Sequence, residues 1–139
     1  MADLTAIRSR LAAQITAKTG LRCDGQARDQ VSPPCAVVIP GSPYAVFGST
    51  MDGALTVNLA VLVIIGDGPP AEQAQAQLDS WLGISPGGES SVPDAVMADT
   101  TLGGAVDFIE PVSIASYGRL EYAGVQLWGS KILFTAGAT

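Results

Sequence analysis

The chain has 139 residues, 47% of them hydrophobic and 14% charged, with seven basic residues against 13 acidic ones for a net charge of −6. A chain of this length makes one domain, residues 1–139, and buries roughly two-thirds of its unfolded surface without staples; its positive mean hydropathy argues against disorder. Lysine and arginine gather nowhere into a patch, which argues against direct nucleic-acid binding, and the most apolar run, Leu59 to Ile65, is far short of the ~20 residues of a membrane-spanning helix.

The N-terminal stretch has arginines inside an amphipathic pattern and no apolar signal core, as expected of a chain made and kept in the cytosol. Asp3 is placed to cap a first helix in which Leu4, Ile7, Leu11 and Ile15 recur at helical spacing and Gly20 ends the run. Arg8, Arg10, Gln14 and Lys18 then face outward. A brief extended piece, Leu21 to Asp24, leads through a polar turn to a short strand, Cys35 to Ile39, bracketed by prolines as an edge strand would be. Residues 41 to 53 are too rich in glycine and turn formers for a helix and predict a loop, yet they carry Tyr44, Val46, Phe47 and Met51. Such side chains either tuck beneath the loop or meet a partner.

Residues 54 to 65 give the clearest strand. Leu55, Val57, Leu59, Val61, Val63 and Ile65 line one face, and the other turns from Thr56 and Asn58 to Ala60, Leu62 and Ile64, so one end is covered on both faces. Pro69 and Pro70 open a second helix with Ala71, Ala74, Leu78, Trp81 and Leu82 as its buried stripe and Gly83 as its stop. A flexible stretch, a short helix around Val92 to Asp99, and strand material from Ala105 follow.

The segment "YGRLEYAGVQLWGSK" closes the chain as a β-hairpin. A two-residue loop at Ala123-Gly124 sets Tyr122 opposite Val125, Leu120 opposite Leu127 and Gly118 opposite Gly129 on a face expected to be the core face. Glu121 then stands opposite Gln126, and Arg119 opposite Trp128, on a second face that suits either a partner surface or plain sheet cover. Two helices separated by strands, with the last strands linked as a hairpin, predict an α+β fold: a mostly antiparallel sheet with both main helices on one face.

Chemistry finds little purchase. "GDGPPA", residues 66 to 71, fits G-x-G-x-x-A between a strand and a helix, but two prolines remove donors from the helix start and Asp67 puts a negative charge beside it. With no histidine in the chain, a serine or cysteine nucleophile would need Lys18 or Lys131 as its base, and both fall at expected exposed positions. Cys23 and Cys35 are too far apart for a redox or zinc pair and read as buried thiols, with a disulfide as the lesser alternative. A site of carboxylates alone, for example Asp94, Asp99 and Asp107, stays open, although no EF-hand spacing supports it. No cofactor is expected.

The order of segments, "LTAIRSRLAA", then "DQVSPPCAVV", and above all "SVPDAVMADTTLGGAV" joined to the "YG…YAG" hairpin, resembles the tail terminator proteins of long-tailed phages, particularly those infecting actinobacteria. The similarity spans nearly the whole chain. It implies a structural virion protein and not an enzyme: a hexameric ring that caps the tube of major tail tube protein, presents a face to the head–tail connector, and is assembled in the host cytoplasm before residing at the head–tail junction. DNA would only pass through the lumen, repelled by acidic side chains of six chains at −6 each. A closed ring needs two different sticky patches per subunit. The candidates are Tyr44, Phe47 and Met51 in the predicted loop and Arg119, Glu121, Tyr122 and Trp128 on the hairpin. A head-completion or connector subunit shares much of this architecture, and a small carboxylate-dependent hydrolase is the reading from a different class.

Overall fold

The computed structural model describes residues 4–24, 35–47, 55–66, 71–83, 91–122 and 124–138. The fold is α+β. Helix α1 spans Leu4–Thr19, with Ile7, Leu11 and Ile15 fully buried along the predicted stripe. Its end is tied off by polar bonds: the Gly20 N–H donates to the Thr16 carbonyl at 3.0 Å, and the Thr16 hydroxyl accepts from the Cys23 N–H at 3.1 Å. This delivers the chain directly into strand β1, Arg22–Asp24. Asp3 lies outside the described residues.

Strand β2, Cys35–Phe47, runs parallel to β1 over Cys35–Val37 and antiparallel to β3, Leu55–Gly66. Residues 41–47 are therefore strand, correcting the expected loop. The register shows why the sequence misled: pairing stops at Pro40 opposite Leu59 and resumes at Ala45 opposite Val57, so residues 41–44 bulge across Asn58 alone. Pro40 and Pro43 have no N–H to offer a ladder, and the bulge falls where they sit. The turn-forming composition marks an interruption of the strand and not its end. The expected edge position holds for part of β2, since β1 covers its outer side only as far as Val37.

Helix α2, Ala71–Leu82, buries Leu78 and Leu82 and half-buries Trp81; the side chains of Ala71 and Ala74 lie outside the description. Helix α3, Val92–Met97, begins where the Ser91 hydroxyl accepts the Asp94 N–H at 3.2 Å. A single 3-10 turn, Leu102–Gly104, precedes strand β4, Phe108–Tyr122, so β4 begins three residues later than expected. Strand β5, Val125–Ala138, completes a five-stranded sheet in the order β1-β2-β3-β5-β4. The hairpin register is the predicted one, from Tyr122 opposite Val125 to Gly118 opposite Gly129.

One main core lies between the sheet and the three helices. Val57, Leu59, Val61, Val63 and Ile65 of β3 and Ile132, Phe134 and Ala136 of β5 meet Ile7, Leu11 and Ile15 of α1, Leu78 and Leu82 of α2, and Val92 and Val96 of α3. Burial of each large side chain contributes about 1.5–3 kcal/mol. A second, smaller cluster of Cys35, Leu62, Ile64 and Leu127, with Leu120 against it, lies on the opposite face of the sheet. The expected covering of β3 on both faces is thus present from Leu59 to Gly66.

Candidate interaction surfaces

The hairpin faces are assigned by these two clusters. Leu120 and Leu127 join the small cluster on the face away from the helices, whereas Trp128 packs half-buried against the main core. The face expected to be the core face is therefore the lesser one, and the polar-looking face carrying Arg119, Glu121 and Trp128 is the helix side. Hairpin register alone says which residues share a face; it does not say which face the helices cover. Trp128 is half-buried there, packed against the helix-side core. Arg119 and Glu121 are exposed beside it, and the side chain of Tyr122 lies outside the described residues, as does Met51.

Gly118 and Gly129 show how the hairpin is shaped. A Cβ at Gly129 would sit 2.6 Å from the Val63 carbonyl oxygen, so the absence of a side chain lets β3 come close. Gly118 has φ 129°, a conformation glycine takes at little cost. Strand β4 is bulged twice nearby, between Pro111 and Ser113 and between Ile114 and Ser116. The Ser116 carbonyl receives the hydroxyl of fully buried Ser130.

These irregularities lie on an outer strand. Among the described residues nothing pairs with the outer side of β4, nor with the outer side of β2 beyond Val37. The exposed large apolar side chains concentrate there. Val46 and Phe47, the latter 83% exposed, close β2, and Phe108, Val112, Ile114 and Tyr117 run along β4; Met97 on α3 is the remaining one among the described residues. Between Glu110 and Arg119, β4 carries no charge. Phe47 is thus far from tucked beneath anything its own chain describes, while Tyr44 is half-buried and packs against the main core. Tyr117 is steadied by donating to the Asp79 carboxylate at 2.9 Å and to the Gln75 carbonyl at 3.3 Å on α2; burial and that hydrogen bond raise its pKa.

Arg8 is the feature the sequence did not reveal. Expected to face outward, it is half-buried with its guanidinium carbon 6.0 Å from the centroid of the Tyr44 ring. Its Nε and the Tyr44 hydroxyl are both buried without hydrogen-bond partners. Gln14 also differs from expectation: its amide donates to the carbonyls of Ala95, Val96 and Asp99 at 2.7, 3.1 and 3.2 Å and so satisfies the end of α3. Arg10 and Lys18 are exposed as expected, and Lys131 is half-buried.

Of the three carboxylates held open for a metal, Asp99 is engaged in its own turn. Asp99 accepts from the Thr101 hydroxyl and N–H at 2.8 and 3.1 Å and from the Gly103 N–H at 2.9 Å, which holds its pKa below the usual value. That arrangement braces Leu102, buried at φ 50°. Among the described residues no three His, Cys, Asp or Glu side chains converge as metal ligands. Of the "GDGPPA" segment, residues 67–70 lie outside the description.

Cys23 and Cys35 both remain thiols. They sit on adjacent parallel strands, but Cys23 pairs with Ala36 on the helix side while Cys35 belongs to the cluster on the other face, so the sheet stands between their sulfurs. Burial, then the charges of Asp24 and Cys35, push the Cys23 thiol up to about 12. Such a thiol is a poor nucleophile.

No described helix is long and apolar enough to cross a membrane. No family model matches the chain, and no curated protein matches it.

Proposed function

We propose that the chain is a structural virion subunit, a tail terminator that assembles into a ring on the end of a phage tail tube, stops its growth and offers the surface that joins tail to head connector. The observation that carries this reading is the partition of exposed apolar side chains between two separate sheet edges: Val46 and Phe47 at one, Phe108, Val112, Ile114 and Tyr117 at the other. Closed cyclic assemblies use heterologous contacts, in which two different patches of one subunit meet, and they need both patches on every copy. Open strand edges with apolar side chains are templates for pairing with another chain. Pro111 and the two bulges limit how much of β4 can be used, and so favour a defined partner over indiscriminate pairing. The resemblance of the segments from Ser91 onward to tail terminators supplies the identity of the assembly, and no catalytic role is part of this reading.

Mass measurement in solution over a wide concentration range, with and without tail-tube subunits, tests the proposal, together with imaging of the products. The expected outcome is a concentration-dependent ring and tubes of arrested length. A strict monomer in both conditions would sink it. Assembly that leaves tube growth unaffected and instead engages connector subunits would point to the neck.

A further inference from the structure

An outer strand can be completed by a second copy of itself when its sequence is complementary to its own reverse. Strand β4 meets that condition. The alternation of β5 assigns the faces of its neighbour: Phe108, Glu110, Ser113, Ser116 and Gly118 pair with Gly137, Thr135, Leu133, Lys131 and Gly129 on the face away from the helices. Ile109, Ile114, Tyr117 and Arg119 pair on the helix side. Each bulge shifts the alternation of β4 by one residue, so the two together restore it, and Glu110 and Ser116 share a face.

A second copy turned about a two-fold axis normal to the sheet at Ser113 lays its β4 antiparallel to the first with the faces matched. Phe108 then stands opposite Gly118, Ile109 opposite Tyr117, Glu110 opposite Ser116 and Val112 opposite Ile114, and the next row out sets exposed Asp107 opposite exposed Arg119. Symmetry repeats that charge pair at the other end. A shift of one residue would oppose unlike faces. A shift of two sets Asp107 opposite either Glu121 or Tyr117, so charge selects this register. Arg119 already makes a contact within its own chain, but a guanidinium has five N–H donors and can add a carboxylate. The shapes agree as well. Val112 and Ile114, 60% and 50% exposed, cover each other. A Cβ at Gly118 would meet nothing within 4 Å, and that open space receives the partly exposed ring of Phe108, whose other side lies over Gly137.

We infer that two copies of this chain pair symmetrically through the outer edges of β4, centred on Ser113, with Asp107 of each copy meeting Arg119 of the other. The contact goes beyond the ring and does not rest on it. It uses the same β4 edge as a ring contact, so dimer and ring compete for one surface, and a subunit held in the dimer is withheld from the ring.

Charge exchange tests the register. Asp107→Arg and Arg119→Glu chains should each need at least about a tenfold higher concentration than wild type to dimerise, read by sedimentation velocity at low salt. Mixed in equal amounts they should form heterodimers at the wild-type concentration, because both ends of the contact then join opposite charges. Wild-type dimerisation by either chain alone, or a mixture that fails to recover, overturns the inference. A Ser113→Cys chain supplies an arm without a change of charge: with oxidised glutathione it should link to itself through residue 113, whereas Glu110→Cys should not. Equal linking of the two chains overturns the two-fold at Ser113. Rings from a wild-type chain that shows no dimer at lower concentration overturn this inference and leave the ring. A dimer that never gives rings with tail-tube subunits supports this inference and overturns the ring, and a strict monomer overturns both.

Discussion

Strands β3 and β4 have similar lengths and are both rich in apolar residues, yet they have opposite fates. β3 is hydrogen-bonded on both sides and is buried without a break from Val57 onward save for half-buried Asn58, while β4 is an outer strand, bulged twice, with Phe108, Val112, Ile114 and Tyr117 partly in water. The same side-chain chemistry therefore holds the fold together in one place and remains available in the other. Position in the sheet decides which.

The comparison predicts mutational effects of very different size. Phe134→Ala on β5, which pairs with β3 and is buried to 1% exposure, should cost about 3–5 kcal/mol by denaturant unfolding. Gly129→Ala should be next at about 1–3 kcal/mol, because its new methyl would collide with the Val63 carbonyl and force two central strands apart. Ile114→Ser on β4 should change monomer stability by no more than about 0.5 kcal/mol while weakening assembly. Equal losses for Phe134→Ala and Ile114→Ser would erase the distinction between the strands.

A fourth effect is absent at neutral pH. The Cys23 thiol is raised from its ordinary 9.0 to about 12 in the folded chain, so folding favours the protonated form. That stability is fully present below pH 9 and is lost as the pH rises toward 12. Unfolding followed between those limits should therefore steepen for wild type and flatten for Cys23→Ala. An identical alkaline profile for both chains would show that the thiol carries none of the dependence.

Much of the fold was legible because periodicity reports burial directly. The stripe of α1, the alternation of β3 and the hairpin register from Tyr122 to Gly118 all reflect repeats of 3.6 or 2 residues. Residues 41–47 were not, since glycine and proline signal a break in hydrogen bonding and cannot say whether the strand resumes. Trp128 was misplaced for a related reason: alternation divides the hairpin into two faces, but which one the helices choose is fixed by residues far along the chain. Arg8 was invisible as more than a surface charge because its setting depends on Tyr44, which the bulge in β2 brings beneath α1.

The strand order carries a consequence for the timing of folding. Residues 125–138 form the strand that lies between β3 and β4, so neither neighbour has its inner partner until that later segment is available. A nascent chain would hold the apolar edge of β3 open until β5 emerges, and the pairing of β3 with β5 closes a loop of some sixty residues or more. Closure of the sheet thus waits on β5, with a window in which one unfinished chain can capture another. Refolding at dilution should outpace refolding in concentrated solution for that reason, and the late strand is where a chaperone would act to most effect.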